Sequence, residues 1–438
     1  MIDANRVTLD LYRSNNTRKL KGLLPGLEPI KFKWLAGLEN PTRTNVYWTP
    51  LLAANAYDGA MLGLTFFNTV SPANKFEYRL TPLFGIRSGD LTGMLNLRYH
   101  LYPKKAIQQL TIGVDMRRFN YAYNERWDYF LNYEKIRASL QLELKKKPTN
   151  PVRQFITLSS NFLTEDLATF DTTGTFSGTE DELSNILELQ YALVKNTVVN
   201  PFQLNIGLEY QQYNRNILDL SFNESYLKAS LEMQTSYTYK EDRNVSLRLF
   251  AGYFLDNSRR NAGTLANRTA RGSFALTSQG YNDYQYNDFF FGRTEREGLL
   301  SRQIMIREGG MKTAFGSSFK TGLSNDYIVA VNLKADLPQR LPLGLPLKPY
   351  FDIGYYHDAQ PTGAGKTFQD QLLWSGGVAL EFNNRLFDGP VLGIYFPIIN
   401  SETVSREFNQ INGNYWSRIS FMLNLRAMDP WAAINRLF

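Results

Sequence analysis

The chain has two histidines, His100 and His357, and no cysteine. A zinc peptidase site needs two histidines at i and i+4 on a helix, with a carboxylate as ligand and base. No H-E-x-x-H occurs, and the two imidazoles are far apart, so both read as ordinary strand-end residues. Without a usable histidine a nucleophilic triad has no base, and without cysteine there is neither a disulfide framework nor a thiolate site. "PTGAGKT" (361–367) holds Gly-Lys-Thr but lacks the first glycine of a phosphate loop at its proper spacing. Glu180, Asp181 and Glu182 form the densest acidic run; no spaced set of oxygen ligands surrounds it, and a solvated loop surface is the first reading, calcium the second. No catalytic, cofactor-binding or metal-ligating residue is therefore expected. One polar residue stands out. In "LKPYFDIGYY" (347–356), Asp352 is in register with Lys348, Tyr350 and Gly354, while Phe351 and Ile353 point the other way. A carboxylate there seeks water, a neighbouring strand's cation, or an arginine, whose two-pronged pairing is the strongest of the three.

The element that positions Asp352 is an extended strand, and the same period of two recurs along the chain. In "PFQLNIGLEYQQY" (201–213), Phe202, Leu204, Ile206, Leu208 and Tyr210 alternate with polar residues. Leu110, Ile112, Val114 and Met116 do the same, as do Ile136, Ala138, Leu140, Leu142 and Leu144, and later Ile419, Phe421, Leu423 and Leu425. The opposite faces carry full charges, and the strands run about ten residues, the length that crosses a bilayer when tilted. Connections alternate between short ones, such as 103–106, 145–151 and 195–201, and long ones, such as 117–133, 163–184, 213–222, 256–324, 357–371 and 400–415. That asymmetry, with 14% aromatic residues to build interfacial girdles, predicts an all-β transmembrane antiparallel barrel, greasy face outward. Sixteen strands follow, from 44–55 to 416–426. "PIKFKWLAGL" (29–38) would break the even count and is placed before the barrel. The expected division is a periplasmic linker over 1–40, an outer-membrane barrel over 41–426, and a periplasmic tail over 427–438. The formal charge of +7 is spread over turns and polar faces, so no nucleic-acid partner is expected. "MIDANRVTLD" has no apolar export core, so Met1 is expected to begin a trimmed fragment of a longer chain.

"LKPYFDIGYY" (347–356), "WSGGVALEF" (374–382), "GPVLGIYFPI" (389–398) and "SRISFMLNL" (417–425) occur in that order and resemble the last four strands of the BamA-like superfamily of outer-membrane barrels. The resemblance implies sixteen strands with the longest loop after the eleventh, which is where 256–324 falls. The opening "NPTRTNVYWTPLLAANAYDGAMLGLTFFN" (40–68) resembles the first hairpin of barrels fused behind an aminopeptidase-like domain of the gluzincin type in Bacteroidota. In the superfamily the long loop carries a V/I-R-G-F/Y signature whose arginine reaches an acidic residue on the wall. Here "DFFFGRTEREGLLSRQ" (288–303) reads Gly-Arg instead, with "RGSF" (271–274) as a second candidate. The resemblance thus implies that loop 256–324 folds into the lumen, pinned by Arg293 to Asp352, with Arg296, Arg302 and Arg271 as lesser candidates. It also implies a seam between the first and last strands, with Ile419, Phe421 and Leu423 on the last; Pro50 on the first cannot donate to a ladder, which fits a weak zip there or equally a proline at a strand end.

The expected function is non-enzymatic. The barrel would anchor, and help display or export, an N-terminally linked peptidase-like domain, with outer-membrane lipid and lipopolysaccharide as its surroundings. The alternatives are a protein-insertion or translocation barrel and a passive diffusion channel, with a phospholipase-type barrel behind them.

Overall fold

The computed structural model describes residues 30–34, 44–68, 74–103, 105–217, 220–241, 243–260, 272–278, 280, 282–295, 297–313, 322–337, 346–357, 372–383, 390–411 and 414–424. Its strands are β1 (Ile30–Trp34), β2 (Thr44–Asn55), β3 (Gly59–Phe67), β4 (Phe76–Gly85), β5 (Leu91–Leu101), β6 (Ile107–Asn124), β7 (Tyr129–Leu144), β8 (Val152–Phe170), β9 (Phe176–Lys195) and β10 (Phe202–Ile217). They continue with β11 (Leu220–Lys240), β12 (Arg243–Asn257), the two-residue β13 (Leu276–Thr277) and β14 (Leu323–Ser324), β15 (Tyr327–Ala335), β16 (Leu347–His357), β17 (Leu372–Asn383), β18 (Pro390–Asn400) and β19 (Ser420–Leu423). An α-helix, α1 (Glu402–Ile411), stands between β18 and β19. Among the described residues, β13 and β14 form a two-stranded sheet and the rest form one seventeen-stranded sheet.

Antiparallel ladders join each strand from β2 to β12 to the next, then run through β15 to β19. The sixteen antiparallel strands fall where the alternation marks them, with one shortened: the last, expected over 416–426, begins as a 3-10 turn (Tyr415–Arg418) and is strand at Ser420–Leu423. β16 shows why the alternation marks them: residues 348, 350, 352, 354 and 356 are buried, while 349, 351 and 355 are exposed. In β10, Ile206, Leu208 and Tyr210 are exposed while Gln211 and Tyr213 are buried. The greasy stripe is outside and the polar stripe inside, the arrangement that hydrocarbon requires of a barrel wall.

The wall curves round its contents, as the path of the long loop after β12 shows. It touches the β2–β3 turn (Tyr57 with Thr294), β7 (Lys135 with Gln285), β10 (Glu209 with Tyr284), β12 (Arg248 with Glu308), β16 (Asp352 with Lys312) and β19 (Phe421 with Ile304). A single segment can meet all of these only if the sheet is wrapped round it. The protein is an all-β barrel, as the alternation predicts, with the described part of its longest loop inside, as the resemblance implies.

Two expectations about the elements need correction. Segments 117–133, 163–184 and 213–222 are mostly strand: β6 and β7 climb to Asn124 and Tyr129, β8 and β9 to Phe170 and Phe176, and β10 and β11 to Ile217 and Leu220. Glu180, Asp181 and Glu182 accordingly stand on β9, opposite Leu167, Asp166 and Glu165 of β8. The hairpin tip is tied by Asp171, whose Oδ1 accepts from the amides of Thr173 and Thr175, with Gly174 at φ 77° supplying the left-handed residue. β1, expected ahead of the barrel, is part of the sheet: Ile30 to Trp34 pair in parallel with Thr44 to Trp48. A parallel neighbour leaves the antiparallel count even, so parity could not exclude it. The tail 427–438 and the stretch 361–367 lie outside the described residues.

Candidate functional site in the lumen and at the seam

The polar inner face of the strands makes the lumen a place where loop side chains must find partners. Asp352 is fully buried on β16 between Asn332 of β15 and Ser375 of β17. Its cation is Lys312. The ammonium lies 2.7 Å from Oδ1, and the Lys312 amide donates to Oδ2 at 3.0 Å. Asn332 adds a hydrogen bond to Oδ1 at 2.9 Å and another to the Gly310 carbonyl at 3.1 Å. Arg248 of β12 completes this corner, pairing with Glu232 at 3.0 Å and donating to Asn332 Oδ1 at 2.9 Å and to the Glu308 carbonyl at 2.8 Å. Gly310 is required here, because it sits at φ 69° and a Cβ would collide with the Arg248 guanidinium.

Arg293 does not reach Asp352. It pairs with Asp283 inside the loop at 3.0 Å, donates to the carbonyls of Asp283 and Asp288, and lies over the rings of Tyr286 and Phe290. Arg307 joins the same knot through Asp288 and, at 3.7 Å, Asp283. Burial alone would raise the Asp283 carboxyl, but the guanidiniums of Arg293 and Arg307 and the amides of Asp288 and Asn287 hold it below its ordinary value. Arg293 is thus the internal brace of the loop tip, and the loop-to-wall pin is Lys312. Of the lesser candidates, Arg302 bonds the Trp416 carbonyl, and Arg296 and Arg271 lie outside the described residues. The sequence shows that Asp352 faces inward, since alternation is local. Which loop cation reaches it depends on the path of the loop; the one signal is "GGMKT" (309–313), where two glycines let the backbone lie against the wall.

A second contact cluster is centred on Lys228 of β11, which faces Glu209 at 3.2 Å and Glu308 at 3.6 Å. Tyr284 donates to Glu209 at 2.6 Å, and Gln285 donates to Glu188 of β9 at 2.7 Å. Burial raises the Glu308 carboxyl against the opposing pull of Lys228. A third cluster binds carbonyls. Lys135 donates to Gln285 O at 2.7 Å and Arg117 to Asn287 O at 2.6 Å. "YNDYQYNDFFF" (281–291) therefore supplies much of what the wall grips.

Apolar packing seals what the ion pairs align. Phe274, Leu276 and Met311 of the loop lie in one buried cluster with Tyr226, Phe254, Ile328, Tyr356 and Leu373 of the wall and with Val404 and Phe408 of α1. Helix α1 thus lies over the same packed core.

At the seam, β2 is laddered to β3 on one edge and to β1 on the other. The β1 register stops at Trp48, two residues before Pro50, which has no N–H to donate. β19 is laddered to β18, pairing Leu423 with Leu392, and its Phe421 is bridged by Gln303 of the loop, with the Ile304 amide donating to the Phe421 carbonyl at 2.8 Å. Ile419 immediately precedes β19. The histidines sit at strand ends, His100 beside Glu77 and Thr111, His357 beside Asp326.

Scans against protein-family models and against curated proteins find no match. Solved structures do align. BamA from Haemophilus ducreyi lacking POTRA domains 1–3 is 12% identical, with a TM-score of 0.44 over 82% of this chain and 68% of that one. CdiB from Escherichia coli is 10% identical, TM-score 0.45, over 82% of this chain and 59% of its own. CdiB from Acinetobacter baumannii is 11% identical, TM-score 0.41, over 82% and 56%. Fold and lumen together define a β-barrel filled by its own loop.

Proposed function

We propose that this chain is a gated outer-membrane barrel that handles polypeptide at its seam, with the loop holding the lumen shut at rest. The observation that carries the reading is the state of the two seam strands. β2 accepts a parallel strand from outside the antiparallel set, and β19, which among the described residues spans Ser420–Leu423, is bridged by the loop. The β1 register stops at Trp48, so the rest of that edge of β2 has no ladder partner among the described residues, and the N–H and C=O groups of such an edge recruit another extended chain. Loop pinning by Lys312 and Lys228 speaks against a permanently open diffusion channel.

The absence of native cysteine makes the test clean. Gln303→Cys with Phe421→Cys, oxidised, locks the loop to β19. In proteoliposomes the locked protein should lose insertion or passage of an unfolded barrel-protein reporter, scored by protease protection, and reduction should restore it. Equal activity locked and reduced overturns the reading. Large steady conductance of the unlocked protein in planar bilayers favours the diffusion channel.

A second reading, attachment of an N-terminally linked domain such as a peptidase, draws on β1. Its hydrogen bonds to β2 tie the segment ahead of the barrel into the wall, so a load carried there would be held by backbone pairing. Changing Phe32 to Pro, which removes an N–H from β1, should then free the preceding segment to proteases while the barrel stays folded. Unchanged protection counts against anchoring through β1.

A further inference from the structure

The two ends of the barrel differ in charge. At the end that carries the 103–106, 145–151 and 195–201 turns, the short-turn rim of the sequence reading, Lys75, Lys105, Lys145, Lys147 and Lys240 are exposed among the described residues against one exposed carboxylate, Glu241. At the other end the hairpin tips expose Glu125, Asp128, Asp171, Glu180 and Asp181, with Arg87 and Arg126 beside them. The lysines stand where the outward apolar stripe ends: Lys145 follows Leu142 and Leu144, and its amide donates to the Ala106 carbonyl at 2.9 Å, fastening the 145–151 turn beside the 103–106 turn. Lys75 lies over the Tyr99 ring at 5.3 Å, and Tyr99, Tyr102 and Tyr237 are exposed at the same level.

Apolar wall, then tyrosine, then lysine is the sequence of chemistries that a bilayer presents in reverse, from hydrocarbon through the interface to phosphate. An ammonium on a four-carbon stem at this depth reaches the headgroup layer with its stem still on apolar surface. We propose that the short-turn rim is a docking surface for anionic phospholipid headgroups, holding a ring of them around this end of the barrel and fixing which leaflet the turns face. The attraction is electrostatic and falls with salt. The proposal rests on the membrane reading above and adds a lipid class to it.

The test uses the full chain folded into vesicles of matched acyl chains, one set phosphatidylcholine, the other phosphatidylcholine with phosphatidylglycerol. Spin-labelled phosphatidylglycerol and phosphatidylcholine report the first-shell preference of the inserted protein by electron paramagnetic resonance. A severalfold preference for phosphatidylglycerol is expected at low salt, collapsing at high salt. It should be lost when the five lysines are changed together to glutamine, and kept when Glu125→Gln and Asp128→Asn are made at the other end. Circular dichroism confirms that each variant is folded. Insertion with equal preference for the two lipids overturns the proposal alone, as does a preference that survives the five substitutions, which would leave the lysines to an acidic protein partner. Competition by inorganic phosphate would also overturn it, marking a simple anion site. Failure to insert into either vesicle sinks the membrane reading and this one with it.

Discussion

Lys312 and Asp352 meet 2.7 Å apart on the inner wall, both almost wholly removed from water. A buried pair of this kind stabilises little by itself, yet breaking it from one side is costly because the surviving charge has no solvent. Asp352→Ala should therefore weaken loop docking by about 3 kcal/mol or more, read as earlier protease cleavage of the loop in folded protein. Replacing both partners with leucine and methionine should recover most of that loss. A single Asp352→Ala variant with native protection contradicts the assignment.

Pairing can be distinguished from proximity by coupling energies. The cycle Lys312→Met with Asp352→Leu should show an interaction of about 1–3 kcal/mol, whereas Arg293→Met with Asp352→Leu should be additive within about 0.5 kcal/mol. Chemical denaturation with a loop-placed fluorophore measures both. Strong coupling of Arg293 to Asp352 would restore the arginine pin.

The loop tip has a defined acid response. The Asp283 carboxyl is held below its ordinary value of 3.8 by Arg293 and Arg307 against the upward push of burial. Its contribution is present above that ordinary value and lost as pH falls through the lower folded value. Glu308 runs the other way, raised by burial above 4.5, so its contribution is full below that pH and fades as pH rises through its folded value. Hydrogen exchange of residues 283–288 should therefore stay slow as pH falls to about 4, after correction for intrinsic rates, and quicken below it. Asp283→Asn should erase that acid step. A step centred near neutral pH would point to other groups.

The sequence reveals the sixteen wall strands and the inward face of Asp352 because a strand with lipid on one side and polar lumen on the other must alternate. It misses the upper hairpins for the same reason. Above the lipid, the outward positions of β8 and β9 turn mostly polar, with Thr164, Asp166, Asn185 and Asp181 beside Leu183, and water on both faces removes the alternation. Ile30, Phe32 and Trp34 alternate with Lys31 and Lys33 and are exposed as a lipid stripe would be. What is illegible is the parallel neighbour, since no pattern within five residues names the partner strand. Lys312 is hidden likewise, because a loop's route through a lumen is set by packing across many strands.

At the seam, Phe32→Cys with Val46→Cys places thiols at registered positions on β1 and β2. Oxidation should cross-link them in the folded barrel and slow partner-dependent opening without altering resting conductance. Failure to cross-link would remove β1 from the sheet.

The orientation of the wall governs all of this, and residues 204 to 211 test it most directly. Spin labels placed singly along that stretch in bilayers, read for collision with oxygen and with a water-soluble nickel chelate, should show high oxygen exposure at Leu204, Ile206, Leu208 and Tyr210. Asn205, Gly207, Glu209 and Gln211 should show low oxygen exposure. The opposite phase, or no period of two, would contradict the account.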